Sequence, residues 1–135
     1  MFLSGGTGKK SVEKYSLEAY RWTKLPDMNE VRAMHASCIV GSSLFVFCGS
    51  SPDLQANETF ERFDTEKVGA QWELIMNLKV HCITRRLRPA ACPLNESEIL
   101  ILGRKASNHG TCQSNAVIFD TLTNSSKEVC DSKQA

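Results

Sequence analysis

The sequence predicts an all-β chain built from just under three copies of one four-strand unit. Three observations predict it. Apolar runs closed by glycine recur: FLSGG through Gly5 and Gly6, LFVFCG ending at Gly49, and ILILG ending at Gly103. An aromatic followed by an acid recurs, Phe63-Asp64-Thr65 returning 56 residues later as Phe119-Asp120-Thr121. Two tryptophans, Trp22 and Trp72, stand 50 residues apart, each a short distance after an aromatic, Tyr15 and Phe63. Self-similarity at such a spacing marks a repeat architecture, in which each unit buries its apolar face only against its neighbour.

The elements follow in order. FLSGG, SVEKYSLE and RWTKLPDM are read as three strands. A complete unit comes next, in VRAMHASCIVG, SLFVFCG, ETFERFD and QWELIM. The last comprises RRLRPAACPL, EILILGR, NAVIFDT and SSKEV. Leu44 to Cys48 and Ile99 to Leu102 are unbroken apolar runs, as suits strands covered on both faces. Thr59 to Phe63 is mixed and reads as an outer strand. Pro52-Asp53 and Asn95-Glu96-Ser97 carry turn chemistry. The glycine after each inner strand is expected to turn the chain at positive φ, and each indole to fill the gap between adjacent sheets. SVEKYSLEAYRW also fits an amphipathic helix, since Val12, Tyr15, Ala19 and Trp22 share one helical face. The recurrence of the markers favours strands.

This order of markers resembles the kelch repeat, whose period is about 50 residues. Its pattern is an arginine-led strand, a strand ending in Gly-Gly, a strand ending in Tyr-Asp and a strand opening with Trp. The stretch RWTKLPDM followed by Arg32 and His35 carries the likeness most specifically. The later copies depart from it: they have Cys48-Gly49 and Gly103-Arg104 for the paired glycines, and no Trp near Lys127. The resemblance implies an incomplete kelch-type β-propeller of antiparallel blades, a partial blade over 1–30, a full blade over 31–78 and a degenerate one over 84–130. The first strand of the first blade is expected to lie outside the sequence. Propellers close with roughly four to eight blades, so the chain is either a fragment or associates with other copies through exposed blade faces. Function is implied by the same resemblance: a protein-interaction module binding through loops on one face, with Ser50–Glu58, Asn77–Arg85 and Lys105–Asn115 as candidate segments. The alternatives are a piece of a propeller enzyme resembling galactose oxidase, with copper held by Tyr and His, and a small non-propeller domain with accidental periodicity.

The totals set few other limits. The 135 residues suit one modest domain, and a net charge of +1 gives no global pull toward nucleic acid or anionic membrane. No apolar run approaches the ~18 residues of a membrane span. Six scattered cysteines include no Cys-x-x-Cys pair and are read as reduced thiols in a cytoplasmic chain. Three triplets, beginning at Asn57, Asn95 and Asn124, nevertheless fit a glycosylation acceptor. Gly8-Lys9-Lys10-Ser11 suggests a phosphate loop, but its hydroxyl comes one position late and Leu3 stands where the first glycine belongs. No catalytic constellation or cofactor site is predicted. His109 with Cys112, and the distant His81 with Cys82, make no four-ligand zinc set at metal-site spacing. His35 is read as structural, packed near Arg32. One local feature points outward: Lys79, Arg85, Arg86, Arg88, Arg104 and Lys105 form a basic segment. Arg85, Arg86 and Arg88 are its candidate contacts with an acidic protein surface.

Overall fold

The computed structural model describes residues 1–53, 57–75, 89–106 and 112–129, with 104–106 and 112–115 described as backbone only. Among the described residues there are eleven strands and no helix. Strands β1 (Phe2–Ser4), β2 (Val12–Ser16) and β3 (Arg21–Leu25) form the first sheet. The middle sheet contains β4 (Ala36–Val40), β5 (Ser43–Phe47), β6 (Phe60–Asp64) and β7 (Glu73–Ile75). The third contains β8 (Ala90–Pro93), β9 (Glu98–Ala106), β10 (Cys112–Asp120) and β11 (Ser125–Glu128). Each sheet runs in chain order with every neighbouring pair antiparallel. SVEKYSLEAYRW is a hairpin, not a helix: Val12 lies opposite Leu25 and Tyr15 opposite Trp22.

The middle sheet is covered on both faces, and strand alternation decides which residue goes where. Leu44 and Val46 of β5 face the first sheet and bury with Val12, Met28, Phe63 and Trp72. Phe45 and Phe47 point the other way and bury with Phe60, Ile99, Ile101 and Phe119. The rings on that second face meet edge-on, Phe47 with Phe60 at 4.6 Å and Phe60 with Phe119 at 5.7 Å between centroids. Such contacts add ~0.5–1.5 kcal/mol per pair beyond area burial. The run Leu44 to Phe47 is buried throughout, whereas in the run Ile99 to Leu102 only Ile99 and Ile101 are, and Leu102 is 46% exposed. No described element covers the far face of the third sheet. The mixed strand β6 lies third in its sheet, and its Phe60, Glu61 and Phe63 are all buried.

The three sheets share one register. Tyr15 opposes Trp22 at 5.0 Å between ring centroids; one step beyond the Arg62–Glu73 pair, Phe63 opposes Trp72 at 5.2 Å. In the third sheet Phe119 occupies that place and opposes Ser126. The acid after each later aromatic is a turn device. Asp64 accepts from the N–H groups of Glu66 and Lys67, and Asp120 from those of Leu122 and Thr123. Thr65 and Thr121 each donate a backbone N–H at 2.8 Å, to Ser42 and Ser97 respectively. In the first sheet Ser16 takes the acid's part, its hydroxyl accepting from Ala19.

The glycine turns agree with expectation twice and fail once. Gly5 and Gly6 have φ of 69° and 125°, and Cys48 and Gly49 have 57° and 95°. An L residue tolerates the first of each pair, as Cys48 does, but φ of 95–125° is essentially glycine's alone. A Cβ on Gly49 would also lie 2.8 Å from the Ala33 carbonyl oxygen. In the third sheet the second place is Arg104. There Gly103 does not adopt positive φ, and β9 continues to pair with β10 over nine residues, from Glu98↔Asp120 to Ala106↔Cys112. The expected turn at Gly103 is therefore replaced by a longer hairpin.

The two tryptophans differ in environment. Trp72 is 6% exposed and its Nε1 donates to the Pro26 carbonyl at 2.8 Å, joining the middle sheet to the segment after β3. Trp22 is 46% exposed and fills no gap between described sheets. Urea unfolding at low micromolar concentration should therefore separate them. Trp72→Ala is expected to cost about 3–5 kcal/mol as a large core truncation, and Trp22→Ala under about 1 kcal/mol as a surface change. Equal costs would contradict this assignment.

Candidate interaction surface

The segment from Pro26 to Ala33 connects β3 with β4 and lies between the first two sheets. On one side it bonds the loop after β1: Met28 N–H donates to Lys10, Arg32 N–H to Lys9, and Gly6 N–H to the Arg32 carbonyl at 2.8 Å. On the other it meets Glu61, whose carboxylate accepts from Asn29 N–H (2.6 Å), Asn29 Nδ2 (2.9 Å) and Glu30 N–H (3.0 Å). Glu61 also pairs with Arg32 through Nε (3.2 Å) and Nη2 (3.0 Å). The rest of the guanidinium is occupied too. Nη1 donates to the carbonyls of Cys48 and Thr59, and Nη2 to Thr59 Oγ1. Both side chains are 0% exposed. Burial pushes the Arg32 pKa down and Glu61 opposes that shift; a guanidinium nevertheless stays charged. A buried ion pair is stable only when its remaining polar atoms are satisfied, as they are here.

His35 sits beside this pair. Its Nε2 shares a hydrogen bond of 2.8 Å with Ser4 Oγ, and its buried Nδ1 has no partner. Burial lowers its pKa below the ordinary 6.5, and the nearby Arg32 charge adds to that. His35 thus lies near Arg32, as the sequence suggested, and bonds to Ser4 of the first sheet.

The same pinned loops define one end of the molecule. The loop joining β1 to β2 exposes Thr7, Gly8, Lys9 and Lys10. The N–H groups of Gly5, Gly6 and Lys9 are consumed by Ser11, Arg32 and Gly6, so the glycines form a turn, not a phosphate cradle. By antiparallel alternation, β5, β7 and β9 end, and β6 and β10 begin, at the corresponding ends of their sheets. Ser50–Glu58 is described except for 54–56; its Asn57 Oδ1 accepts from Thr59 N–H and Oγ1. Asn77–Arg85 lies outside the described residues, and of Lys105–Asn115 only backbone at 105–106 and 112–115 is described. Lys79, Arg85, Arg86 and Arg88, with His81, Cys82 and His109, likewise lie outside them, and Arg104 and Lys105 are placed on β9 by backbone alone.

A feature not anticipated from sequence occupies the opposite end of the middle sheet. Ser43, Arg62, Asp64, Lys67, Gln71 and Glu73 line an open polar cleft of about 330 Å³. Arg62 crosses it to Glu73 at 2.6 Å, and the N–H groups of Glu66 and Lys67 hold the Asp64 carboxyl below its usual range. The recurring Phe-Asp-Thr was the one sequence signal for it, through the turn that Asp64 caps. Among the described residues no group of three or more His, Cys, Asp or Glu is placed to hold a metal. Cys38 and Cys92 are free thiols, and burial pushes Cys38 up to about 11, far from a reactive thiolate at neutral pH. No described helix is long and apolar enough to cross a membrane. No known family model matches the chain, and no curated protein matches it.

Two outcomes follow from the buried pair and its histidine. Glu61→Leu leaves an uncompensated guanidinium and should cost about 3–5 kcal/mol. Arg32→Met combined with Glu61→Leu should cost clearly less than the two single changes added together. Additive costs in urea unfolding would show that the residues do not act as a pair. For His35 the folded pKa lies below the unfolded one, so the unfolded state binds the extra proton first as pH falls. Its stabilising contribution is complete above the unfolded value near 6.5 and declines as the pH drops below it. The urea midpoint of the wild type should fall from pH 7 to pH 5, and His35→Gln should flatten that slope. An unchanged slope would contradict the assignment.

Proposed function

We propose that the chain is a kelch-type propeller segment serving as a protein-interaction module, with partners bound by the loops at the Lys9–Lys10 end of its sheets. One observation carries the reading: successive antiparallel sheets repeat the same register, with Tyr15 and Trp22 opposed in one and Phe63 and Trp72 in the next. A repeat of this kind makes a rigid frame whose connections are free to vary, and binding surfaces concentrate on such connections. The Arg32–Glu61 pair supports the reading because it fixes the loop after β1 and the start of β6 to one segment. The basic residues Arg85, Arg86 and Arg88 supply the charge that would select an acidic partner surface.

Cross-linking of the tagged chain in extracts of its own cells tests this. Lysine cross-links to retained proteins should fall on Lys9, Lys10, Lys79 and Lys105, and reversing the charge of Arg85, Arg86 and Arg88 should reduce capture at least several-fold. Cross-links concentrated on Lys67, at the opposite end, would reassign binding to the polar cleft. Capture that is unchanged by charge reversal would remove the basic segment from the interface.

A further inference from the structure

We infer that two copies of this chain join head to tail, the open face of the first sheet of each seating on the open face of the third sheet of the other. The register defines two kinds of sheet face. One carries the opposed aromatics: Phe63 and Trp72 in the middle sheet, with Leu44 and Val46 beside them. The other carries Phe45, Phe47 and Phe60. Each contact inside the chain joins one face of each kind. The aromatic-pair face of the middle sheet packs on Phe2, Val12 and Leu25 of the first. The face of the third sheet that holds Phe119 packs on Phe45, Phe47 and Phe60 of the middle one.

Among the described residues, one face of each kind is left uncovered. Alternation from the buried Val12 and Leu25 directs Tyr15, Trp22 and Leu3 of the first sheet away from the middle sheet, and Trp22 and Leu3 are 46% and 57% exposed. Alternation from Ile99, Ile101 and Val117 directs Leu100, Leu102 and Ala116 of the third sheet outward, with Leu102 46% exposed. In register Leu100, Leu102 and Ala116 hold the places of Phe45, Phe47 and Phe60, while Tyr15 and Trp22 hold those of Phe63 and Trp72. The two open faces are thus mates of the same type that already pack twice within the chain, and a second copy presents both. A face of one kind does not match itself, so the contact is heterologous and closes only as a ring. Two copies bring six sheets, inside the roughly four to eight of closed rings of radial sheets.

Sedimentation velocity on the 135-residue chain, with one substitution on each face, tests this. The wild type should sediment as a dimer at tens of micromolar. Trp22→Glu and Leu102→Glu should each be mainly monomeric alone, because every contact that either forms with its own copies carries one altered face. Mixed in equal amounts they should form a one-to-one complex, since one retains the third-sheet face and the other the first-sheet face; restored association also shows that both variants are folded. A monomeric wild type, a dimer that survives in Leu102→Glu alone, species larger than a dimer, or a mixture that stays monomeric would each overturn the proposal.

Discussion

The arrangement of the first two sheets depends on a charge pair that neither sheet could bury alone. Arg32 and Glu61 are sealed from solvent, and every oxygen and nitrogen they expose to one another or to the backbone is bonded. The desolvation cost of such a pair is several kcal/mol per ion and is offset only by near-complete hydrogen bonding. The surrounding design reads as a means to that end. Asn29 and Glu30 turn their N–H groups onto the carboxylate, Thr59 turns both its hydroxyl and its carbonyl onto the guanidinium, and the glycine turn ending β5 brings the Cys48 carbonyl within reach. The backbone of Arg32 meanwhile accepts from Gly6 and donates to Lys9, so the same residue holds both sheets.

The second contact between sheets is made of different material. Val117 stands in the third sheet where Glu61 stands in the middle one: Val117 pairs with Ile101 as Glu61 pairs with Val46. Four phenylalanines and three isoleucines fill the space, with no buried ion pair among the described residues there. Arg86 precedes Cys92 by the same six positions that separate Arg32 from Cys38, so the arginine recurs at that spacing in the sequence while the acid does not. One contact is thus specified by directional polar bonds and the other by shape and apolar area. The first resists register slippage; the second tolerates substitution of similar volume.

The strands were legible because they rest on local chemistry. The unbroken apolar run from Leu44 to Cys48, the closing Gly49 and the capping Asp64 and Asp120 each act within a few residues, and the resulting sheets stand where those signals put them. What the sequence concealed required knowledge of a neighbour. Glu61 sits in a mixed strand, and nothing near it in sequence points to its partner Arg32, 29 positions away. Trp22 and Trp72 look equivalent in sequence and are equivalent in register, yet only Trp72 has Pro26 and the first sheet to close over it. Gly103 looked like a turn because glycine permits one, but the turn depends on the next position, where Arg104 does not tolerate the conformation that Gly6 and Gly49 adopt. The polar cleft at Arg62 and Glu73 had no signal beyond the turn that borders it.

Native-state hydrogen exchange tests the central role of Arg32 and Glu61 most directly. In the wild type the amides of Gly6, Asn29 and Glu30 should exchange only through opening nearly as costly as global unfolding. In Glu61→Gln those three amides should lose protection by orders of magnitude while the amides of Ile101 and Val117 keep theirs up to the new global limit. Protection at Gly6, Asn29 and Glu30 that follows the global stability in both proteins, with no selective loss, would contradict the account.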